Sequence, residues 1–135
     1  MLFRSPLLFF HPQSKFPGVN TNRVTQHVDI LPSVLDYLQV QPDRRLLFGQ
    51  SVFRNGEGRA FLYDNGRYWL VRGQRALEFT PNGGARLFDL VQDRQLKSPI
   101  PVDTGAPSDL EREAKALLQY FTNGMIDNNL YGGIP

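Results

Sequence analysis

The sequence predicts a mixed fold, α/β at its start and α+β after that. One strand and one helix of an α/β sheet are followed by a small four-stranded antiparallel sheet with a C-terminal helix. Three stretches predict this. Pro6-Leu7-Leu8-Phe9-Phe10 is an unbroken apolar run closed by His11-Pro12, the pattern of a strand buried on both faces. Residues 59–90 alternate β-forming runs with short turns. Residues 108–125 repeat apolar side chains at helical spacing.

Taken in order, residues 13–23 hold Pro17-Gly18 and two Asn, a loop by composition. Residues 24–38 read as a short, mostly buried helix: Val28, Leu31, Leu35 and Leu38 recur at helical spacing, and Ile30, Val34 and Tyr37 widen that face. Asp29 is placed to cap it by accepting backbone N–H groups, and Pro32 falls in the first turn, where its missing N–H matters least. A polar connection over 39–45 and a short apolar segment over 46–53, turning at Gly49, lead to a loop at 55–58. Strands are expected over 59–63, 67–72, 75–80 and 85–90. Asn65-Gly66 between the first two is the strongest local signal of a hairpin, and Gly73-Gln74 and Pro81-Asn82-Gly83-Gly84 supply the next turns. Tyr68, Leu70, Leu77 and Phe79 alternate with polar or small neighbours, as in a sheet with one wet face. Residues 92–107 read as a polar, Pro-rich surface linker. Ser108-Asp109-Leu110-Glu111 is a capping box. It opens a helix whose stripe is Leu110, Ala114, Leu117, Leu118, Phe121 and Met125, ending at Gly124 or at Asn128-Asn129. Residues 131–135 read as a loose terminus.

Composition narrows the chemistry. At 135 residues, 41% hydrophobic and 21% charged, the chain can bury a core. It has no Cys, which removes disulfides, thiolate chemistry and cysteine-based zinc sites. The net charge of +2 is scattered, so no nucleic-acid patch is expected. No apolar run is long enough to span a bilayer, so no direct membrane insertion is expected, and residues 1–5 make a poor signal peptide.

Single residues were weighed against plainer roles. His11 follows an apolar strand, and ligands of α/β sheets bind beyond the carboxyl ends of strands. Lys15, close behind it, is a point charge suited to a phosphate or sulfate. A polar loop that merely ends a strand carries such residues too, and that reading is preferred. His27 lacks neighbours that would make it a metal ligand. Asp36 reads as a solvated helix residue, and Asp89 and Asp93 as carboxylates facing water at a strand end. Tyr68 and Trp69 among Arg67 and Arg72 fit a meander core with arginines on its wet face better than a base-stacking surface. The last helix has a mixed-charge polar face and is expected to pack on the sheet.

The order of motifs resembles a known family. His27-Val28-Asp29-Ile30-Leu31-Pro32-Ser33-Val34-Leu35-Asp36-Tyr37-Leu38 resembles the late HVDI-x-PT-L-L-x-L-L segment of sulfatases in the alkaline phosphatase superfamily, with Ser33 for the usual Thr. Residues 6–12 are similar to the strand before that helix, residues 48–53 to the G-R-S-L segment after it, and residues 86–93 to the ELYDL-x-x-DP strand. Asn65-Gly66-Arg67-Tyr68 and Asp127-Asn128-Asn129-Leu130 look most like bacterial lipoteichoic-acid-synthase-like phosphoglycerol or phosphoethanolamine transferases. The chain departs from the pattern at Asp93-Arg94 and at Ser98-Pro99.

The resemblance implies that residues 1–53 are the incomplete end of an alkaline-phosphatase-like α/β catalytic domain. Residues 54–135 would be a C-terminal α+β subdomain. It implies a parent enzyme using a hydroxyl nucleophile and a divalent metal (Mn, Mg, Ca or Zn) on a sulfate or phosphate ester. That parent would be membrane-anchored, with its catalytic domain on the outer side. The family's nucleophile and metal ligands match no position here, so no catalytic or metal residue is assigned. His11 and Lys15 are the substrate-proximal candidates, Asp29 is a structural cap, and the expected partner is the upstream catalytic domain of the same polypeptide. The rival reading is a free-standing, non-catalytic binding module.

Overall fold

The computed structural model describes residues 6–13, 16, 18, 20–41, 48–101, 108–128 and 130. Its centre is an antiparallel meander of β1 Arg59–Asp64, β2 Arg67–Arg72, β3 Arg75–Phe79 and β4 Ala85–Asp89, in spatial order β1-β2-β3-β4. Local chemistry sets the register. Asn65 and Gly66 adopt φ 49° and 79°, the left-handed pair that a two-residue hairpin turn requires. Asp64 then faces Arg67, and Ala60 faces Val71. β2 pairs β3 from Arg72↔Arg75 to Tyr68↔Phe79, and β3 pairs β4 from Arg75↔Asp89 to Phe79↔Ala85. All four strands lie within a residue of their expected bounds.

Both faces of the sheet are covered, which corrects the expectation of one wet face. Leu70, Leu77 and Phe79 share one face and pack against Leu110 and Ala114 of the C-terminal helix, α2 Asp109–Ile126. The Ser108 side chain accepts the Glu111 N–H at 3.2 Å, so the predicted cap is in place. Ion pairs hold the start of α2 to the sheet. Arg59 and Arg72 each donate to a different oxygen of Glu113, at 2.8 and 2.6 Å, and Arg72 also donates to Asp109.

The opposite face buries Ala60, Val71, Ala76, Phe88 and Leu90 under Val24, Trp69 and Leu96. Leu96 comes from the segment expected to be a surface linker, and residues 92–101 are instead a folded loop. Asp93 accepts the Ser98 N–H at 2.7 Å and the Gln95 N–H at 3.2 Å. Ile100 N–H then bonds Leu87 carbonyl at 2.7 Å, adding a bridge to the outer edge of β4. Glu78 lies on this face at 3% exposure, with Arg67 donating to one oxygen at 2.5 Å and Arg86 paired with the other.

The amino-terminal part differs more. Residues 6–10 form no strand. Side chains alternate as in an extended chain: Leu7 and Phe9 are half-buried, while Leu8 and Phe10 are 84% and 82% exposed. The expected helix over 24–38 is shorter. Val24 to Gln26 is not helical, His27–Asp29 is a 3-10 turn, and α1 runs Ile30–Tyr37. No parallel strand pair occurs among the described residues.

The apolar stripe of α2 is deeply buried only in its first half. Replacing Leu110 by Ala should cost about 2–5 kcal/mol, the range for emptying a large core position. Phe121, 38% exposed, should cost clearly less. Urea unfolding of the two variants measures the difference, and equal losses would mean that α2 is seated over its whole length.

Candidate functional site

The site begins with the polar residues of α1. Asp29, Ser33 and Asp36 stand at i, i+4 and i+7, which places them on one helical face. That face is turned inward, against residues 48–54. Asp29, 3% exposed, takes the N-cap position of α1, but its carboxylate does not bond the helix's own N–H groups. One oxygen accepts the Gln26 N–H at 2.9 Å, and the other accepts the Gln50 N–H at 2.8 Å. The fully buried Ser33 hydroxyl donates to the Asp29 carbonyl at 2.6 Å and accepts the Val52 N–H at 3.0 Å. Asp36 accepts from the Ser51 hydroxyl at 2.6 Å and from Arg54 at 3.0 Å. It is thus a bonded residue rather than a solvated one, and the Arg54 guanidinium, then the Ser51 hydroxyl, holds its carboxyl below the ordinary value.

Two neighbours complete the strap. Gln26 donates to the Phe48 carbonyl and accepts the Phe61 N–H from β1, both at 3.0 Å. Arg23 donates to the carbonyls of Arg54 and Gly56 at 2.8 Å and of Ser51 at 3.1 Å. Gly49 passes so close to the 3-10 turn ahead of α1 that a Cβ there would sit 2.2 Å from the Val28 carbonyl oxygen.

The apolar side of α1 therefore points outward, opposite to the expected buried stripe. Ile30, Val34, Tyr37 and Val28 in the preceding 3-10 turn are exposed, Leu31 and Leu38 reach 53% and 58% exposure, and of the expected stripe Leu35 is half-buried. Residues 6–10 lie beside it. Phe9 packs edge-on to Phe53 at 5.2 Å between ring centroids, and Phe16 stacks on Phe53 and contacts Tyr37, both at 5.4 Å. Among the described residues, 6–10 make no backbone hydrogen bond. The result is one surface combining an outward apolar helix face with an extended apolar run.

His11 closes this run, its ring 6.0 Å from Tyr37 and its Nδ1 accepting the Gln13 N–H at 3.2 Å. Lys15 lies outside the described residues. His27 is exposed in the 3-10 turn. Among the described residues no three of His, Asp and Glu converge as a metal set, and no helix is long and apolar enough to cross a membrane. Asp89 and Asp93, read from sequence as facing water, instead accept backbone N–H groups, Asp89 those of Val91 at 2.8 Å and Gln92 at 3.3 Å. The i→i+2 spacing of such turns was the signal available in the sequence.

Ser33→Ala leaves the Val52 N–H without an acceptor and should cost about 1–3 kcal/mol in urea unfolding. The acid dependence of stability has a definite sign. Asp36, Asp93 and Asp109 all have lowered folded values, caused first by Arg54, by the Ser98 N–H and by Arg72 respectively. Their contributions are complete above the ordinary carboxylate value of about 3.9 and are lost as pH falls through the lowered folded values. Unfolding midpoints followed into acid should fall over this range, and Asp36→Asn should flatten part of the slope. An unchanged slope would mean that the Asp36–Arg54 pair is not formed in solution.

Comparison with protein-family models, with curated proteins and with solved structures finds no match to this chain.

Proposed function

We propose that this chain is the non-catalytic, C-terminal structural part of a metal-dependent sulfatase-like hydrolase or phosphoglycerol/phosphoethanolamine transferase. The observation that carries the reading is the outward apolar face of α1 beside residues 6–10, whose backbone groups are unpaired among the described residues. Exposed apolar surface of this extent marks a missing partner. A run that is apolar at every position suits the interior of a parallel sheet, where both faces are covered. The upstream catalytic domain of the same polypeptide would supply the neighbouring strand and the layer over α1. The nucleophile and the divalent metal belong to that upstream part, which would stand on the outer side of a membrane. His11 and Lys15 would then sit past the carboxyl end of the added strand, where such sheets bind ligands.

The second reading, a free-standing binding module, uses the same surface for a separate protein. The meander with α2 favours it, because that part has its own two-sided core.

The chain by itself should turn over no chromogenic sulfate or phosphate ester with Mn²⁺, Mg²⁺, Ca²⁺ or Zn²⁺. Metal-dependent turnover that is lost in His11→Ala would overturn the reading. Hydrogen exchange separates the two alternatives. The amides of Leu7, Leu8, Phe9 and Phe10 should exchange quickly in the isolated chain and become protected when the upstream region is joined to it. Protection equal to that of β2 and β3 in a monomer of the isolated chain would put the binding module ahead.

A further inference from the structure

A cleft of about 630 Å³ opens on another part of the molecule, between residues 20–24, residues 56–58, the β2–β3 turn and the first turn of α2. Its chemistry is set by the hairpin. Arg72 and Arg75 are direct cross-strand partners flanking Gly73-Gln74, so both side chains leave the same face of the sheet. Like charges placed opposite each other in a sheet repel, so this pair needs compensation.

Only one of the two receives it fully. Arg72 donates to Glu113 and Asp109 through its two terminal nitrogens. Arg59 shares Glu113, so these two arginines and two carboxylates balance in charge. Arg75 makes no hydrogen bond or ion pair among the described residues, and it feels only at longer range the Asp109 carboxylate that Arg72 already engages. Asp89 lies opposite it in the register, but one of its carboxylate oxygens turns to the Val91 and Gln92 N–H groups, and neither oxygen comes within ion-pair distance of Arg75. Arg23, also lining the cleft, bonds carbonyl oxygens and, among the described residues, meets no carboxylate within ion-pair distance. Against these stands one lining carboxylate, Glu57, whose side chain is 74% exposed and 3.8 Å from Arg72 Nε, too far for a hydrogen bond. Arg72 Nε therefore keeps a free donor directed at an easily displaced anion.

We propose that this cleft binds a phosphate- or sulfate-type oxyanion between Arg75 and Arg72 Nε, displacing Glu57. Guanidinium groups offer such oxyanions short, charge-assisted hydrogen bonds in a geometry that an ammonium does not match. The charges lining the cleft leave a net excess of one positive charge once Arg72 is balanced, which one oxyanion neutralises. The site owes nothing to the outward face of α1, so it stands whichever reading of that face holds.

The test titrates the full chain at low ionic strength with inorganic phosphate, with inorganic sulfate, and with phosphatidylglycerol vesicles, following backbone amide shifts and vesicle co-sedimentation. Saturable shifts at Gly56, Gly58, Gly73 and Arg75 with either inorganic ion are the expected result. Arg75→Gln should weaken binding about tenfold or more, the scale of losing one charge-assisted donor. Glu57→Gln should tighten it by roughly threefold, because an exposed competing carboxylate is worth little. Arg75 is exposed, so its replacement leaves the thermal melt unchanged and a loss of binding is not a loss of fold. Vesicle binding that Arg75→Gln abolishes, without saturation by the free ions, would assign the same chemistry to a lipid headgroup. Absence of binding in every arm, or binding that survives Arg75→Gln, would overturn the proposal.

Discussion

The roll of α1 about its own axis is the constraint on which the amino-terminal half depends. Residues 48–54 have no regular structure, so their N–H groups have no ladder to join. The helix supplies acceptors instead, in register: Asp29 for Gln50 and Ser33 for Val52. Rolling α1 inward would bury roughly three apolar side chains and gain about 5–9 kcal/mol. It would also strip acceptors from the half-buried Gln50 and Val52 N–H groups, at about 1–3 kcal/mol each. The two gains oppose each other. A partner on the outward side removes the conflict, because the loop keeps its acceptors while the apolar face is covered.

The meander and α2 hold together differently. Their core is apolar on both sides of the sheet, and charged groups serve to align the layers. Partly buried pairs such as Arg59–Glu113 contribute modestly each. Their value lies in sharing: one carboxylate receives Arg59 from β1 and Arg72 from β2, which fixes where α2 begins along the strands. Glu78 is the costlier case, a carboxylate at the centre of a sheet face. The flanking arginines of neighbouring strands meet its two oxygens, so removing either would leave a buried charge half-compensated.

What was legible in the sequence was what is decided locally. Asn65-Gly66 dictates a turn whatever surrounds it, and Ser108 caps α2 through a bond spanning three residues. The stripe of α2 was legible as a stripe but not in its reach. Its second half meets less of the sheet: Phe121 packs edge-on to Phe48, which stacks on Phe61 of β1, and Met125 is 56% exposed. Periodicity in residues 28–38 likewise shows that a helix has an apolar face and says nothing of what lies over it. Asp29, Ser33 and Asp36 form an equally regular stripe, but polar residues at that spacing are ordinary on a solvated face. Only the distant segment 48–54 turns them inward. Asp89 and Asp93 were misread for the same reason, since an Asp that organises a loop and an Asp in water look alike until the loop's path is known.

Residues 6–10 show how an extended apolar run can be held in place by side chains alone. A lone extended segment gains nothing from its backbone polar groups except water, and fixing it costs about 1–2 kcal/mol per residue in chain entropy. Here the cost is partly met without a strand partner. Phe9 is held against Phe53, and Phe16 packs between Phe53 and Tyr37. The run is thereby kept extended beside α1, with alternate side chains outward and its backbone groups unpaired among the described residues. Association with a sheet edge would then require little further ordering, which favours binding over an equally apolar but disordered segment. The same readiness makes the edge a hazard when exposed, since any other unpaired strand fits it as well. Lys or an internal Pro commonly blunts such an edge, and residues 7–10 carry neither.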